Sequence, residues 1–221
     1  MEKIQRKISR THVIAFIISI LLFFVGIFMG LQLSYYGMSE VGKGFDELKN
    51  DEYIMQIIML MNESDDVSCS FYKQRMNEFN DETYEFGKML DRAENAKGKG
   101  DPEVMVLKSN YALMEFWDSL MLKQIEKRCN ISYVIVYYIY SNEDNYDPRR
   151  SQGDVLTLAK RDNPSVVMVY SFDISTKSQI INLLREKHNI TSVPAMIIND
   201  KKYEGFRNYD ELKKIIDEEL K

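Results

Sequence analysis

At 221 residues, 45% of them hydrophobic and 29% charged, the chain has room for one domain of ordinary size and something smaller beside it. Its net charge of −5 at pH 7 and pI near 5.3 leave no basic surface for a polyanion, which argues against nucleic acid as a partner. No P-loop, G-x-S-x-G or GxGxxG pattern is present, and no internal repeat or low-complexity tract.

The first predicted element is a membrane span. No residue from Thr11 to Ser39 is formally charged, and Val13 to Leu33 is almost wholly apolar. A helix needs about 20 such residues to cross a bilayer. The run exceeds the roughly 7 to 15 apolar residues of a cleaved signal, and no small-x-small cleavage site follows it, so an uncleaved anchor is expected. Lys3, Arg6, Lys7 and Arg10 precede the span, whereas Ser34 to Glu40 beyond it carry no base. The positive-inside rule then keeps the tail, residues 1–11, in the cytoplasm and sends everything past the span, residues 12–36, outside. Tyr35 and Tyr36 suit the far interface.

Residues 39–129 read as a helical region without β pattern. Phe45, Leu48, Tyr53, Ile54, Ile57, Ile58 and Met61 suggest a helix leaving the membrane, with a break expected near Gly42-Lys43-Gly44. Tyr72, Met76, Phe79, Phe86, Leu90 and Ala93 recur three or four apart, Thr83 filling the gap, and Lys97-Gly98-Lys99-Gly100 ends that helix. Asp101-Pro102-Glu103 starts the next with an N-cap, a first-position proline and an acid in the first turn. Its stripe is Val104, Leu107, Tyr111, Met114, Trp117, Leu120/Met121 and Ile125. An antiparallel α-helical hairpin over 71–129, roughly 40 Å long at 1.5 Å per residue, is the expected result.

That hairpin would bring the chain's two cysteines, Cys69 and Cys129, to its open end. In an oxidising compartment they form a disulfide, which the chain-entropy model values at roughly 4 kcal/mol for a loop of this length. A catalytic redox pair is the other reading. The spacing weighs against it, because no CxxC arrangement is there to lower a thiol pKa.

Past Cys129 the pattern changes. Ile131 to Tyr140 is β-branched and aromatic throughout, as a buried central strand should be. A polar loop, Ser141 to Arg150, leads to a helix near Gly153–Arg161; Val166 to Phe172 is a second buried strand; a helix follows over about Thr176–Lys187. Val193-Pro194 opens a strand Ala195 to Ile198, Asn199-Asp200-Lys201 turns it, and a return strand ends at Gly205. The last helix, from about Tyr209 to Leu220, shows Leu212, Ile215 and Ile216 on one face.

Strand, helix, strand, helix, Val-Pro strand, strand, helix over residues 131–221 resembles a thioredoxin-like domain. The resemblance implies an α/β fold, a mixed sheet flanked by helices. It also implies that Pro194 is cis and flanks the place where substrate chains bind, with the backbone of Val193 available to pair with an extended peptide. In redox-active members a Cys-x-x-Cys sits at the start of the helix after the first strand, where the helix dipole favours a thiolate. The corresponding stretch here, Tyr146-Asp147-Pro148-Arg149, has a proline and no sulfur, and no cysteine occurs between Cys129 and Lys221. Dithiol exchange by this domain alone is therefore excluded. Tyr146, Asp147, Pro148 and Arg149 beside Val193 and Pro194 form the expected partner-binding surface; the bland alternative is a proline that merely shapes the strand start beside a solvated loop.

No catalytic residue, cofactor or metal is expected. His12 and His188 have no carboxylate cluster at ligand spacing, and Asp65-Asp66 and Asn142-Glu143-Asp144-Asn145 lack the EF-hand pattern. Sequons at Asn62, Asn130 and Asn189 matter only where the source glycosylates. Three functions fit: a membrane-tethered module holding an exported polypeptide or a membrane-protein partner; a thiol-disulfide oxidoreductase component using Cys69/Cys129 or a partner's thiols; or a structural element, the hairpin joining a second copy or an envelope complex.

Overall fold

The structure, a computed structural model, describes residues 10–60, 66–142 and 147–220. Three long helices come first: α1 (Arg10–Leu60), α2 (Asp66–Lys97) and α3 (Pro102–Cys129). Within α1, His12–Gly30 is long and apolar enough to cross a membrane, by length and composition, and none of it is buried among the described residues.

The break expected at Gly42-Lys43-Gly44 is absent, and α1 runs straight through it. Gly44 serves packing instead. A Cβ there would lie 3.5 Å from the ring of Phe86 and 3.7 Å from Met89, so the missing side chain lets α1 approach α2 closely. Val41, Leu48 and Met55, seven apart, make the buried seam of α1, with Phe45 and Ile58 beside it. Tyr53, Ile54 and Ile57, expected on the buried stripe, face outward.

On α2 all seven stripe positions, Thr83 included, are buried. The α3 start is capped as its sequence reads: Asp101 Oδ1 accepts from the N–H groups of Glu103 at 3.0 Å and Val104 at 3.1 Å. Contacts between α2 and α3 run in opposite chain directions, from Lys97–Glu103 and Glu94–Lys108 through Thr83–Tyr111 to Cys69–Cys129. Gly87 makes the second close approach, since a Cβ there would stand 3.3 Å from the Tyr111 hydroxyl.

A four-stranded sheet follows, in the order β2-β1-β3-β4. Its strands are β1 (Val134–Tyr140), β2 (Val167–Asp173), β3 (Ala195–Ile198) and β4 (Lys201–Glu204), with α4 (Asp147–Asp162), α5 (Gln179–Lys187) and α6 (Tyr209–Glu219) between and after them. β1 is parallel to β2 and antiparallel to β3, which pairs antiparallel with β4. β1 begins three residues later than its composition suggests. The Tyr133 N–H donates to Glu126 Oε1 at 2.7 Å, so the approach to the strand is held by the end of α3.

Period-two alternation divides β1 between two cores. Val134, Val136 and Tyr138 meet Leu156 and Ala159 of α4 and Leu212 and Ile216 of α6. Ile135, Tyr137 and Ile139 meet Leu122 and Ile125 of α3 and Ile181 and Leu184 of α5. Each fully buried aliphatic side chain among these stabilises by about 1.5–3 kcal/mol. Because α3 belongs to both the helical part and the sheet's second face, the two parts share a core.

Two boundaries differ from expectation. The loop expected to Arg150 ends at Asp147, where α4 starts; Pro148 in its first turn is the same start signal as Pro102. The helix expected from Thr176 is a 3₁₀ turn, Ile174–Thr176, and then α5 from Gln179, separated by Lys177 at φ 52°. Between β3 and β4, Asn199 and Asp200 both have positive φ, the geometry of a two-residue hairpin turn.

Candidate functional site

The Val193–Pro194 peptide bond is cis. Pro194 is buried, and Val193 is half-buried against the core shared by α3 and α5. The Pro194 carbonyl accepts from Gly205 N–H at 2.8 Å, which closes the β3–β4 pair. Ahead of it, Thr191 and Ser192 are exposed and gathered by one carboxylate: Glu204 Oε1 accepts from Thr191 N–H at 2.6 Å, Thr191 Oγ1 at 3.1 Å and Ser192 N–H at 3.3 Å. Those bonds, the Thr191 N–H first, hold the Glu204 carboxyl below its ordinary range. Tyr146 and the side chains of Asp147, Pro148 and Arg149 lie outside the described residues; the backbone of the last three forms the first turn of α4.

Cys69, in the first turns of α2, is joined to Cys129, the last residue of α3, with their Cα atoms 5.6 Å apart. Both are half-buried. Neither belongs to the sheet or to α4.

A cavity of about 380 Å³ that sequence reading did not foresee lies between α2, α3, α4 and the outer edge of β2. β2 is an edge strand, so its outward main-chain groups need partners. Glu115 of α3 supplies one, its Oε1 accepting from Ser171 N–H at 3.4 Å. Among the described residues its Oε2 is buried without a hydrogen-bond partner, and so is Thr83 Oγ1 across the cavity. Burial pushes the Glu115 carboxyl up to about 8, against the pull of Ser171 and Tyr111. One turn on, Asp118 accepts from the Tyr170 hydroxyl; burial pushes it up to about 7. Burial also drives the Tyr111, Tyr140 and Tyr170 hydroxyls well above their ordinary values.

Lysines border the same space. Lys108 is bound on both sides, to Asp173 at 2.7 Å and Glu94 at 2.9 Å. Lys160 of α4 lines the cavity and has no carboxylate within 4.0 Å among the described residues. Burial lowers its pKa while Asp81, Glu115 and Asp118 pull the other way from longer range.

The acids were legible only as a breach of pattern. Tyr111, Glu115, Asp118 and Leu122 share the helical spacing of a buried face, and two of those four positions hold carboxylates. For metals, no group of three or more His, Cys, Asp or Glu suited to an ion occurs among the described residues.

Residues 121–218 match a protein-family model described as Thioredoxin. The matched segment begins in the last turns of α3 and ends in α6, so it takes in the whole sheet. No curated protein matches the chain. The C-terminal part is thus a thioredoxin-like domain with a mixed four-stranded sheet flanked by helices.

Proposed function

We propose that this chain is a membrane-tethered, extracytoplasmic binding module that holds an exported polypeptide or a membrane-protein partner and carries out no dithiol exchange of its own. One observation carries the reading: the thioredoxin-like domain has no thiol to exchange. The chain's two cysteines are joined to each other at the ends of α2 and α3, and none follows Cys129. What such a domain retains is a surface for extended chains. The exposed Thr191-Ser192 approach and the backbone of Val193 beside cis Pro194 support this reading, to which the sequence adds Tyr146, Asp147, Pro148 and Arg149. Main-chain pairing along a strand gives affinity without demanding a particular sequence, as holding unfolded clients requires.

Three features support the rest. The apolar stretch His12–Gly30 is a suitable span, and the bases at Lys3, Arg6, Lys7 and Arg10 orient it with the domain outside. The disulfide belongs in an oxidising compartment. α2 and α3, as a clamped helical hairpin, offer a stalk between anchor and domain.

The test is anisotropy of a labelled, carboxymethylated unfolded polypeptide titrated with the full-length protein in nanodiscs. Saturable binding is expected, weakened about tenfold or more by Tyr146→Ala combined with Arg149→Ala and by Pro194→Ala. No binding, or binding that none of these changes moves, defeats the proposal. The half-buried sulfurs favour one second reading, that Cys69 and Cys129 exchange electrons with a partner's thiols. Thiol trapping in native membranes separates the two, because mixed disulfides through Cys69 in Cys129→Ser are expected only of a redox participant.

A further inference from the structure

We infer that the cavity at the β2 edge is a second binding site, independent of the Pro194 surface, for an α-amino carboxylate, with Glu115 receiving the ligand's N–H and Lys160 its carboxylate. No residue of β3 or β4 lines the cavity, so the two sites can be tested apart.

The size is right. At about 380 Å³ the cavity falls at the lower end of small-ligand sites, which run from about 300 to 1,000 Å³. Its polar groups are unfinished in a specific way. Glu115 is 4% exposed and Thr83 9%, yet Glu115 Oε2 and Thr83 Oγ1 have no hydrogen-bond partner among the described residues. An unmet buried polar atom destabilises the fold, and a ligand that supplies its partner recovers that cost. Lys160 is the matching cation. Lys108 is already doubly bound, and Lys88 pairs with Glu85 at 2.8 Å, which leaves Lys160 as the lysine of the cavity wall without an ion pair among the described residues.

The arrangement also says what does not fit. A simple cation would enter beside the uncompensated ammonium of Lys160. A simple anion would pair with Lys160 but bring no N–H to Glu115 Oε2. A carboxylate with an adjacent N–H satisfies both ends at once, and the rings of Tyr111, Tyr138 and Tyr140 enclose an apolar side chain; the last two stack at 5.3 Å. Two sources carry this group, a free amino acid and the C-terminal residue of a polypeptide. They differ at Glu115. The free ammonium meets a carboxyl that burial keeps protonated near neutrality, and displaces its proton to solvent, whereas an amide N–H does not. The other charged or titratable groups of Glu115 and its cavity are Lys108, Tyr111 and Asp118 on α3, Tyr138 and Tyr140 on β1, Tyr170 and Asp173 on β2, Lys160 on α4, and Tyr84, Lys88 and Asp91 on α2.

The experiment is calorimetry on the full-length protein in nanodiscs at pH 7, in two buffers of different ionisation enthalpy. The probes are L-leucine and L-phenylalanine, the same residues at the C-terminus of N-acetyl dipeptides, and those dipeptides as C-terminal amides. Saturable binding of a free amino acid with proton release identifies the first source; binding of an acetyl dipeptide without it identifies the second. In either case the amides should bind about tenfold or more weakly, and Lys160→Met and Glu115→Gln should each cost a similar factor while the circular dichroism of the folded protein persists. Should Glu115→Gln not fold, Lys160→Met, at the partly exposed wall, decides alone. No saturable heat from any probe means a solvent-filled cavity and overturns the inference, as does binding that the variants or the amides leave unchanged.

Discussion

The ammonium of Lys108 lies 2.7 Å from a carboxylate oxygen of Asp173, joining the second turn of α3 to the end of β2. Lys108 also reaches Glu94 of α2 at 2.9 Å, and Asn142 binds both acids, its side chain donating to Glu94 and its N–H to Asp173. The group is buried, with side-chain exposures of 10% for Lys108, 8% for Glu94 and 2% for Asp173. Lys108→Met would leave two buried carboxylates without their cation. A loss of about 3–5 kcal/mol in chemical denaturation, followed by Trp117 fluorescence, is expected. The exposed pair Lys88–Glu85 is the control, where Lys88→Met should leave the denaturation midpoint nearly unchanged. Burial alone would raise the Asp173 carboxyl, but Lys108 and Ser175 outweigh it and hold it below its ordinary value. Its stabilising contribution is therefore present above the unfolded pKa and lost as pH falls through the folded one.

Glu115 and Asp118 act in the opposite sense. Burial raises Glu115 from 4.5 to about 8 and Asp118 from 3.8 to about 7, so the folded state holds protons that the unfolded chain has released. Their contribution is fully present below the unfolded values and is lost as pH rises through the folded ones. Stability should decline between about pH 5 and pH 8.5, and Glu115→Gln should flatten that decline, ending more stable than the parent at the alkaline end by over ~1 kcal/mol. Thermal melts across that range give the answer. Parallel slopes for parent and variant would mean that Glu115 is ionised in the folded protein.

How much of this was written in the sequence depends on the signal. The stripe on α2 and the cap of α3 could be read because burial and capping act through local spacing, as Tyr72 to Ala93 and Asp101-Pro102 show. The same acid-proline signal at Asp147-Pro148 was overlooked beneath a polar run, and α4 begins there. Gly44 read as a breaker, although its role is set by Phe86, forty-two residues away and unknowable until α1 and α2 are packed. The outward face of Tyr53, Ile54 and Ile57 was misassigned for a related reason: which side of an apolar helix is buried is decided by its neighbours. Most of the cavity was invisible. Thr83, Glu115, Tyr140 and Lys160 come from four elements whose meeting is a property of the tertiary fold.

The span makes a prediction that does not depend on the domain. If Lys3, Arg6, Lys7 and Arg10 orient His12–Gly30, replacing all four with Gln should randomise or invert the C-terminal part relative to the membrane, since each base near a span end biases insertion. Protease added to sealed right-side-out membranes should digest a C-terminal epitope in the parent and spare a substantial share of it in the variant. Equal digestion of both would show that other determinants set the orientation.

The bridge between Cys69 and Cys129 ties the first turns of α2 to the last residue of α3, across sixty residues of sequence. It stands where α3 leaves for the sheet: Ile131 and Cys129 pack against the core that holds Ile125 and Leu184, and Tyr72 donates from α2 to the Ile58 carbonyl of α1 at 3.1 Å. Opening it frees the base of both helices while leaving the buried members of that core, Ile125 and Leu184 among them, in place. Cys69→Ala with Cys129→Ala should therefore fold, with a loss of roughly 2–5 kcal/mol and earlier melting of the three-helix part than of the sheet. Hydrogen exchange resolved by segment checks the second half of that statement. Uniform loss of protection in α2, α3 and β1 would mean that the helices and the sheet unfold as one unit, as their shared α3 core also permits.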